Sequence, residues 1–172
     1  MRWYGNALRI VNKRGCYPLC VDLAPALEPG VAIVEDGPLD LDAILARLAV
    51  KAAAHLGVSV KLLHHALQVR ERVRPTAVGG GVALPHAILP GIPRTLVIPA
   101  LVRRGVLVDP ASPPSTILLG LFGDQAKPWD HVKMLARLAR IVHDQRSLEH
   151  LRLATDPDDL VRRVMSEDAA HA

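Results

Sequence analysis

The stretch VGGGVALPHAILPGIP, residues 78–93, sets one imidazole, His86, between three glycines and a turn-rich exit. Glycines at 79, 80 and 81 can turn successive backbone N–H groups towards one point, and such nests bind anions. Pro85 fixes the backbone entering His86. An imidazole is a competent nucleophile near neutral pH, because its free pKa lies close to that range. An anion cradle formed by Gly79, Gly80 and Gly81 beside a nucleophilic His86 would suit phosphoryl chemistry. The plainer alternative is a hairpin corner carrying an incidental histidine, since Gly-rich turns usually do structural work. The stretch is not a nucleotide loop of the common kinds. It lacks the lysine and hydroxyl of G-x-x-x-x-G-K-[ST] and does not satisfy G-x-G-x-x-G.

Six of the other seven histidines have simpler readings. His64 and His65 are adjacent on a helical stretch, point in different directions and form no i,i+4 metal pair. His55, His143 and His150 fall on helical surfaces or ends, and His171 is in the terminal tail. No H-E-x-x-H or similar motif occurs, so neither a metal nor a cofactor is expected. Cys16 and Cys20 stand in CYPLC with no second cysteine pair to complete a zinc site, and read as reduced thiols.

The elements that must position His86 follow from composition and period. Half of the 172 residues are hydrophobic but only five are aromatic, so the core must be Leu, Val, Ile and Ala. The formal charge of +4 is local. Arg2, Arg9, Lys13 and Arg14 fall in the first twenty residues, which hold no acid, and the remainder is balanced at 17 bases and 17 acids. A nucleic-acid surface needs a clustered basic face, so none is expected; residues 1–30 read as a basic arm, joined at LAPALEPG (23–30) to one domain over 31–172. No apolar run reaches the length of a membrane span, and a soluble cytoplasmic protein is the expectation.

Asp40 is positioned to cap a helix ending near Leu56, with Gly57 as its stop, and Ser59 to cap a second helix with Val60, Leu63, Leu67 and Val69 inward. Residues 82–85, 95–102 and 116–122 read as strands, the last nearly all apolar, as in a strand covered on both faces. The spacing predicts a helix capped by Asp130, with Val132, Leu135, Ala136, Leu138, Ala139 and Val142 as its buried stripe. A short helical piece follows around Leu148 and Leu151. The last helix opens with Asp156 as cap and Pro157 at its first position. Helices around short strands predict an α/β layered domain, helix/sheet/helix with a mixed central sheet.

The run RERVRPTAVGGGVALPHA, residues 70–87, resembles the active-site signature of the phosphotransferase-system enzyme IIA domains of the fructose/mannitol type, which includes nitrogen-regulatory members. Arg70, Glu71, Thr76, Gly79, Gly81, Ala83, Leu84, Pro85 and His86 match it in order. A second family feature, a histidine opening a helix of the form H-x-x-x-L-x-x-L-A, is met by HVKMLARLA from His131. The resemblance covers roughly residues 30–165. Gly80 departs from the Asn often found between the two glycines, Pro75 is an unexpected neighbour of Thr76, and residues 1–30 have no counterpart.

The resemblance implies that His86 accepts a phosphoryl group from the phosphohistidine of HPr, or of its nitrogen-branch relative. It then passes the group to a IIB domain or signals to a regulated target. It implies that Arg70 and His131 contact the phosphoryl group, while Thr76 is a candidate to orient the His86 ring. Taken alone, each has a plainer explanation: Arg70 pairs with an acid, His131 donates to a backbone group, Thr76 belongs to a turn. Glu71 is expected to anchor structure or pair with Arg70. Three readings follow, namely a nitrogen-type regulatory carrier, a sugar-transport IIA component, and a binding module that no longer transfers phosphate.

Overall fold

The computed structural model describes residues 22–171. The arm residues Arg2, Trp3, Tyr4, Arg9, Lys13, Arg14, Cys16 and Cys20 lie outside them. In chain order the described residues form a short 3₁₀ turn at Ala24–Ala26, then β1 (Ile33–Glu35), α1 (Leu41–Leu56), α2 (Val60–Val73), β2 (Ala77–Gly79) and β3 (Val82–Ala83). They continue with β4 (His86–Leu89), β5 (Leu96–Val106), β6 (Ser115–Asp124), α3 (Pro128–His143), α4 (Gln145–Arg152) and α5 (Pro157–Ala170).

The strands make one mixed sheet in the order β1-β5-β6-β3-β2, with β4 also on β6. β6 is its axis. It runs antiparallel to β5 and parallel to β3 and β4. Val82 and Ala83 oppose Ile117 and Leu118, and His86 opposes Leu121, so β3 and β4 share one register along a single edge of β6. Leu84 and Pro85 fall out of that ladder. The strand expected at 82–85 therefore ends at Ala83, and pairing resumes at His86. Pro85, with no N–H to give, keeps only its carbonyl bond from Leu121 N–H at 2.9 Å.

Helices cover both faces. A Cβ on Gly120 would meet Leu48 of α1, whereas one on Gly123 would meet His131 of α3. Positions three apart on a strand face opposite ways. α1 and α3 thus lie on opposite sides of β6, with α2 beside α1, and α4 and α5 beside α3. This is the expected helix/sheet/helix α/β fold. Its core is aliphatic, with Phe122 fully buried towards the C-terminal end of β6.

Local expectations met mixed outcomes. Asp40 caps α1 by accepting from Ala43 N–H at 2.7 Å, and Gly57 closes it in the left-handed conformation. Asp156 caps α5 by accepting from Asp159 N–H at 2.8 Å. Ser59 makes no side-chain cap bond. The buried face of α2 is Leu63, Leu67 and Glu71, and Val60 and Val69 are exposed. α3 begins at Pro128, which suits a first helical position, so Asp130 sits within its first turn. Its buried side is His131, Met134, Arg137, Leu138, Ile141 and Val142, rotated from the expected stripe, with Val132 and Ala136 outside. The rotation is possible because buried Arg137 pairs with buried Asp168 of α5. Leu23, Ala26 and Leu27 join the core, and Gly30 N–H donates to Asp158 at 3.1 Å. The boundary placed at residue 30 therefore falls inside packed structure.

Asp40→Ala should lower unfolding free energy by about 1 kcal/mol, whereas Ser59→Ala should change it by less than about 0.5 kcal/mol, in paired urea titrations.

Candidate active site around His86

His86 opens β4 at the point where the β6 ladder resumes, and is half-buried. Both ring nitrogens are engaged. Nδ1 lies 2.8 Å from the carbonyl oxygen of Leu84, and Nε2 lies 2.9 Å from Nε of Arg70 in the last turn of α2. A carbonyl only accepts and a guanidinium N–H only donates, so one protonation state satisfies both contacts. Nδ1 carries the proton, and Nε2 presents its lone pair. Burial lowers the pKa of His86, the Leu84 carbonyl opposes that, and the positive charge of Arg70 lowers it further. The ring is neutral at pH 7. Arg70 is itself braced by an Nη1 bond to the carbonyl of Arg74 at 2.8 Å.

His131 approaches from α3, with its ring centroid 5.4 Å from that of His86 and the planes tilted by 52°. It is only 5 % exposed, and among the described residues neither ring nitrogen has a partner. Burial, reinforced by neighbouring His86, pushes its pKa down to about 4. A buried imidazole with unmet hydrogen-bonding capacity is a cost the fold carries. Gly123 of β6 makes room for the ring: a Cβ there would come 2.8 Å from His131 Nδ1.

Two open clefts share Arg70 and His86. One, of about 440 Å³, is walled by Arg74, Pro75, Val78 and Leu135. The other, of about 550 Å³, is walled by Val69, Val73, Ile88, His131 and Val132. Val69, Val73, Val78, Ile88 and Val132 are all exposed, so the site sits in an apolar surround with cationic Arg70 and Arg74 within it.

The structure thus brings Arg70, His86 and His131 together. It does not bring Thr76 into contact with His86. The Thr76 hydroxyl donates to Glu71 at 2.8 Å, and its backbone N–H donates to the other oxygen of the same carboxylate at 2.7 Å. The glycines are also elsewhere. Gly79, Gly80 and Gly81 all have positive φ and form the tight turn between β2 and β3. The Gly81 carbonyl accepts from Ile117 N–H, four positions along β6 from the partner of His86, or about 13 Å at the rise of a strand. The Gly80 carbonyl accepts from Arg152 Nη2 at 2.6 Å. Their left-handed backbone serves a hairpin docked on α4, not a cradle at His86. Glu71 anchors structure, one of the two roles expected of it, by holding Thr76. The Leu84 carbonyl as partner of His86 and the room left by Gly123 are contributions that sequence reasoning did not place. Among the described residues no three His, Cys, Asp or Glu side chains converge as metal ligands would, and no helix is long and apolar enough to cross a membrane.

An α/β domain whose mixed sheet delivers one neutral, arginine-bound imidazole to a second histidine has the architecture of a phosphotransferase-system IIA domain. The chain belongs to the family described as phosphoenolpyruvate-dependent sugar phosphotransferase system, EIIA 2, whose model matches residues 39–166. It is similar to the nitrogen regulatory protein of Bradyrhizobium diazoefficiens, with 34 % identity over 113 residues, 65 % of this chain and 74 % of the relative. Its fold is similar to that of nitrogen regulatory protein IIA-Ntr from Neisseria meningitidis, with TM-score 0.74 at 19 % identity, over 83 % of this chain and 97 % of the other. It is also similar to IIA mannitol from Escherichia coli, with TM-score 0.65 at 16 % identity, over 78 % and 95 % of the two chains.

Two outcomes test this geometry. His131→Leu removes the unmet nitrogens and should stabilise the resting protein by about 1–2 kcal/mol. In the parent, unfolded histidine takes up protons below about pH 6.5 while folded His131 resists until about 4, so its contribution to stability is complete above 6.5 and is lost as pH falls to 4. Urea titrations across that range should show a flatter acid limb in the variant. Gly123→Ala should displace the His131 ring, seen as a changed ¹⁵N signature for His131 with far-ultraviolet circular dichroism unchanged.

Proposed function

We propose that this chain is a phosphohistidine carrier in which Nε2 of His86 receives a phosphoryl group from the phosphohistidine of HPr or of its nitrogen-branch relative. The observation that carries the reading is the protonation state of His86, with Nδ1–H tied to the Leu84 carbonyl and the Nε2 lone pair held by Arg70 Nε–H, on a ring that lines both clefts. In the transfer, the Nε2 lone pair attacks phosphorus and the donor's P–N bond breaks, its electron pair returning to the donor imidazole. The His86 proton stays on Nδ1 against the Leu84 carbonyl, which steadies the positive charge the ring gains. Arg70 gives up Nε2 for the phosphoryl oxygens, where its planar fork fits. His131, neutral at pH 7, has one N–H to donate to those oxygens. Chemistry of this kind asks for alignment and for charge stabilisation on the dispersed oxygens, and the site supplies both.

The apolar surround at Val69, Val73, Val78, Ile88 and Val132 supports docking of a protein donor and acceptor over the clefts. A nitrogen-type regulatory role, signalling to a target protein, is favoured over sugar transport through a IIB domain. Its support is the 34 % identical nitrogen regulatory protein. One structure of similar fold is a complex of Escherichia coli enzyme IIA mannitol with phosphorylated enzyme IIB mannitol, but at 16 % identity it bears on fold alone.

Incubation with phosphorylated HPr or its nitrogen-branch relative should yield an acid-labile, alkali-stable label on this chain. The label should appear by ³¹P NMR as Nε2-phosphohistidine and be absent from His86→Ala. No label from either donor, or equal labelling of His86→Ala, defeats the reading. Arg70→Ala should slow transfer by roughly tenfold to a hundredfold, the range for one charge-assisted hydrogen bond. It should also raise the pH below which the rate falls, because the guanidinium that lowers the His86 pKa is gone.

A further inference from the structure

We infer that Glu71 is a positioning residue for His86, acting through Thr76 and Leu84 to hold the ring in its reactive protonation state. The kinetic part rests on the carrier reading above, and the geometric part stands without it. The argument begins at the Leu84 carbonyl, the acceptor that keeps the proton on Nδ1. Leu84 lies in the gap between β3 and β4, outside the β6 register, and precedes a proline, so the ladder does not fix it. Its N–H is instead held at 3.0 Å by the carbonyl of Thr76. Thr76 lies between α2 and β2, outside both, and follows Pro75. It is fixed by the Glu71 carboxylate, which accepts its N–H on one oxygen and its hydroxyl on the other. Both residues are buried.

Arg70 and Glu71 are consecutive on the last turn of α2. Arg70 reaches Nε2 directly, and Glu71 reaches Nδ1 through two backbone steps, so one helical turn governs both nitrogens. Without the clamp on Thr76, the Leu84 carbonyl loses its fixed place. The proton then has no reason to stay on Nδ1. A proton on Nε2 would confront the N–H of Arg70 and remove the nucleophilic lone pair.

Two conservative variants separate this from a charge pairing of Glu71 with Arg70. Glu71→Gln keeps the length and can meet both Thr76 contacts, with the hydroxyl accepting instead of donating. Glu71→Asp keeps the charge but is one methylene too short to meet both. Positioning predicts that Glu71→Gln retains the parent's His86 ring ¹⁵N pattern and a transfer rate within about threefold. It predicts that Glu71→Asp mixes the two neutral protonation states and slows transfer about tenfold, as for one lost hydrogen bond. Val164→Ala, a trimmed core position on α5, should lose stability without changing the ring pattern. Thr76→Ala removes only the hydroxyl arm, should show the same mixing in smaller measure, and decides the matter if the Asp variant does not fold. An unchanged ring pattern in the disruptive variant, a Gln variant as slow as the Asp one, or the same mixing in Val164→Ala would overturn the inference. The ¹⁵N measurement needs no phosphoryl donor. A parent that takes no label but loses its ring pattern in Glu71→Asp would defeat the carrier reading and leave the positioning role standing.

Discussion

The site depends on one imidazole being held at both nitrogens by groups that cannot exchange roles. The Leu84 carbonyl can only accept and the Arg70 guanidinium can only donate. That pair of contacts determines where the proton sits, which nitrogen is nucleophilic, and which direction it faces. Much of the nearby architecture serves it. The shared register of β3 and β4 on β6 puts Leu84 and Pro85 in a gap where the Leu84 carbonyl can turn to the side chain two residues on. The end of α2 puts Arg70 across from it.

Among the described residues, the two clefts at His86 are lined by the cations Arg70 and Arg74 and by no carboxylate. Arg70 contributes a cation, while burial keeps both imidazoles neutral. His131 is buried, and neither of its ring nitrogens is hydrogen-bonded among the described residues. Glu71, the carboxylate next in sequence to Arg70, is turned inward onto Thr76 and spent there. It lines neither cleft at His86, whereas Arg70 lines both.

The layered fold, the caps at Asp40 and Asp156, and the doubly covered β6 were legible because period and capping are local signals. Arg70, His86 and His131 were legible as a set through the family signature. Physical reading of residues alone offered only His86. The rest failed for identifiable reasons. Three glycines before a histidine look like a cradle in one dimension, but the register with β6 carries them about 13 Å away. The stripe of α3 was misplaced because Arg137 is buried, and its partner Asp168, thirty-one residues on, helps make that tolerable. Val69 and Val132 look like core by type and lie at the mouth of the site by geometry. Thr76 was expected at the His86 ring, but its hydroxyl is taken by the carboxylate of Glu71, five residues back.

The resting contact between Arg70 and Nε2 carries one more implication. A lone pair already covered by a guanidinium is shielded from casual electrophiles and from stray protons alike. A neutral reagent offers the guanidinium nothing better to bind, so the cover stays on. On the carrier reading proposed above, a reagent with a doubly negative head would draw it aside and so uncover the atom it is to react with. Admission by charge would then come before bond making, and the same arginine would fall back over the nitrogen once the cargo left.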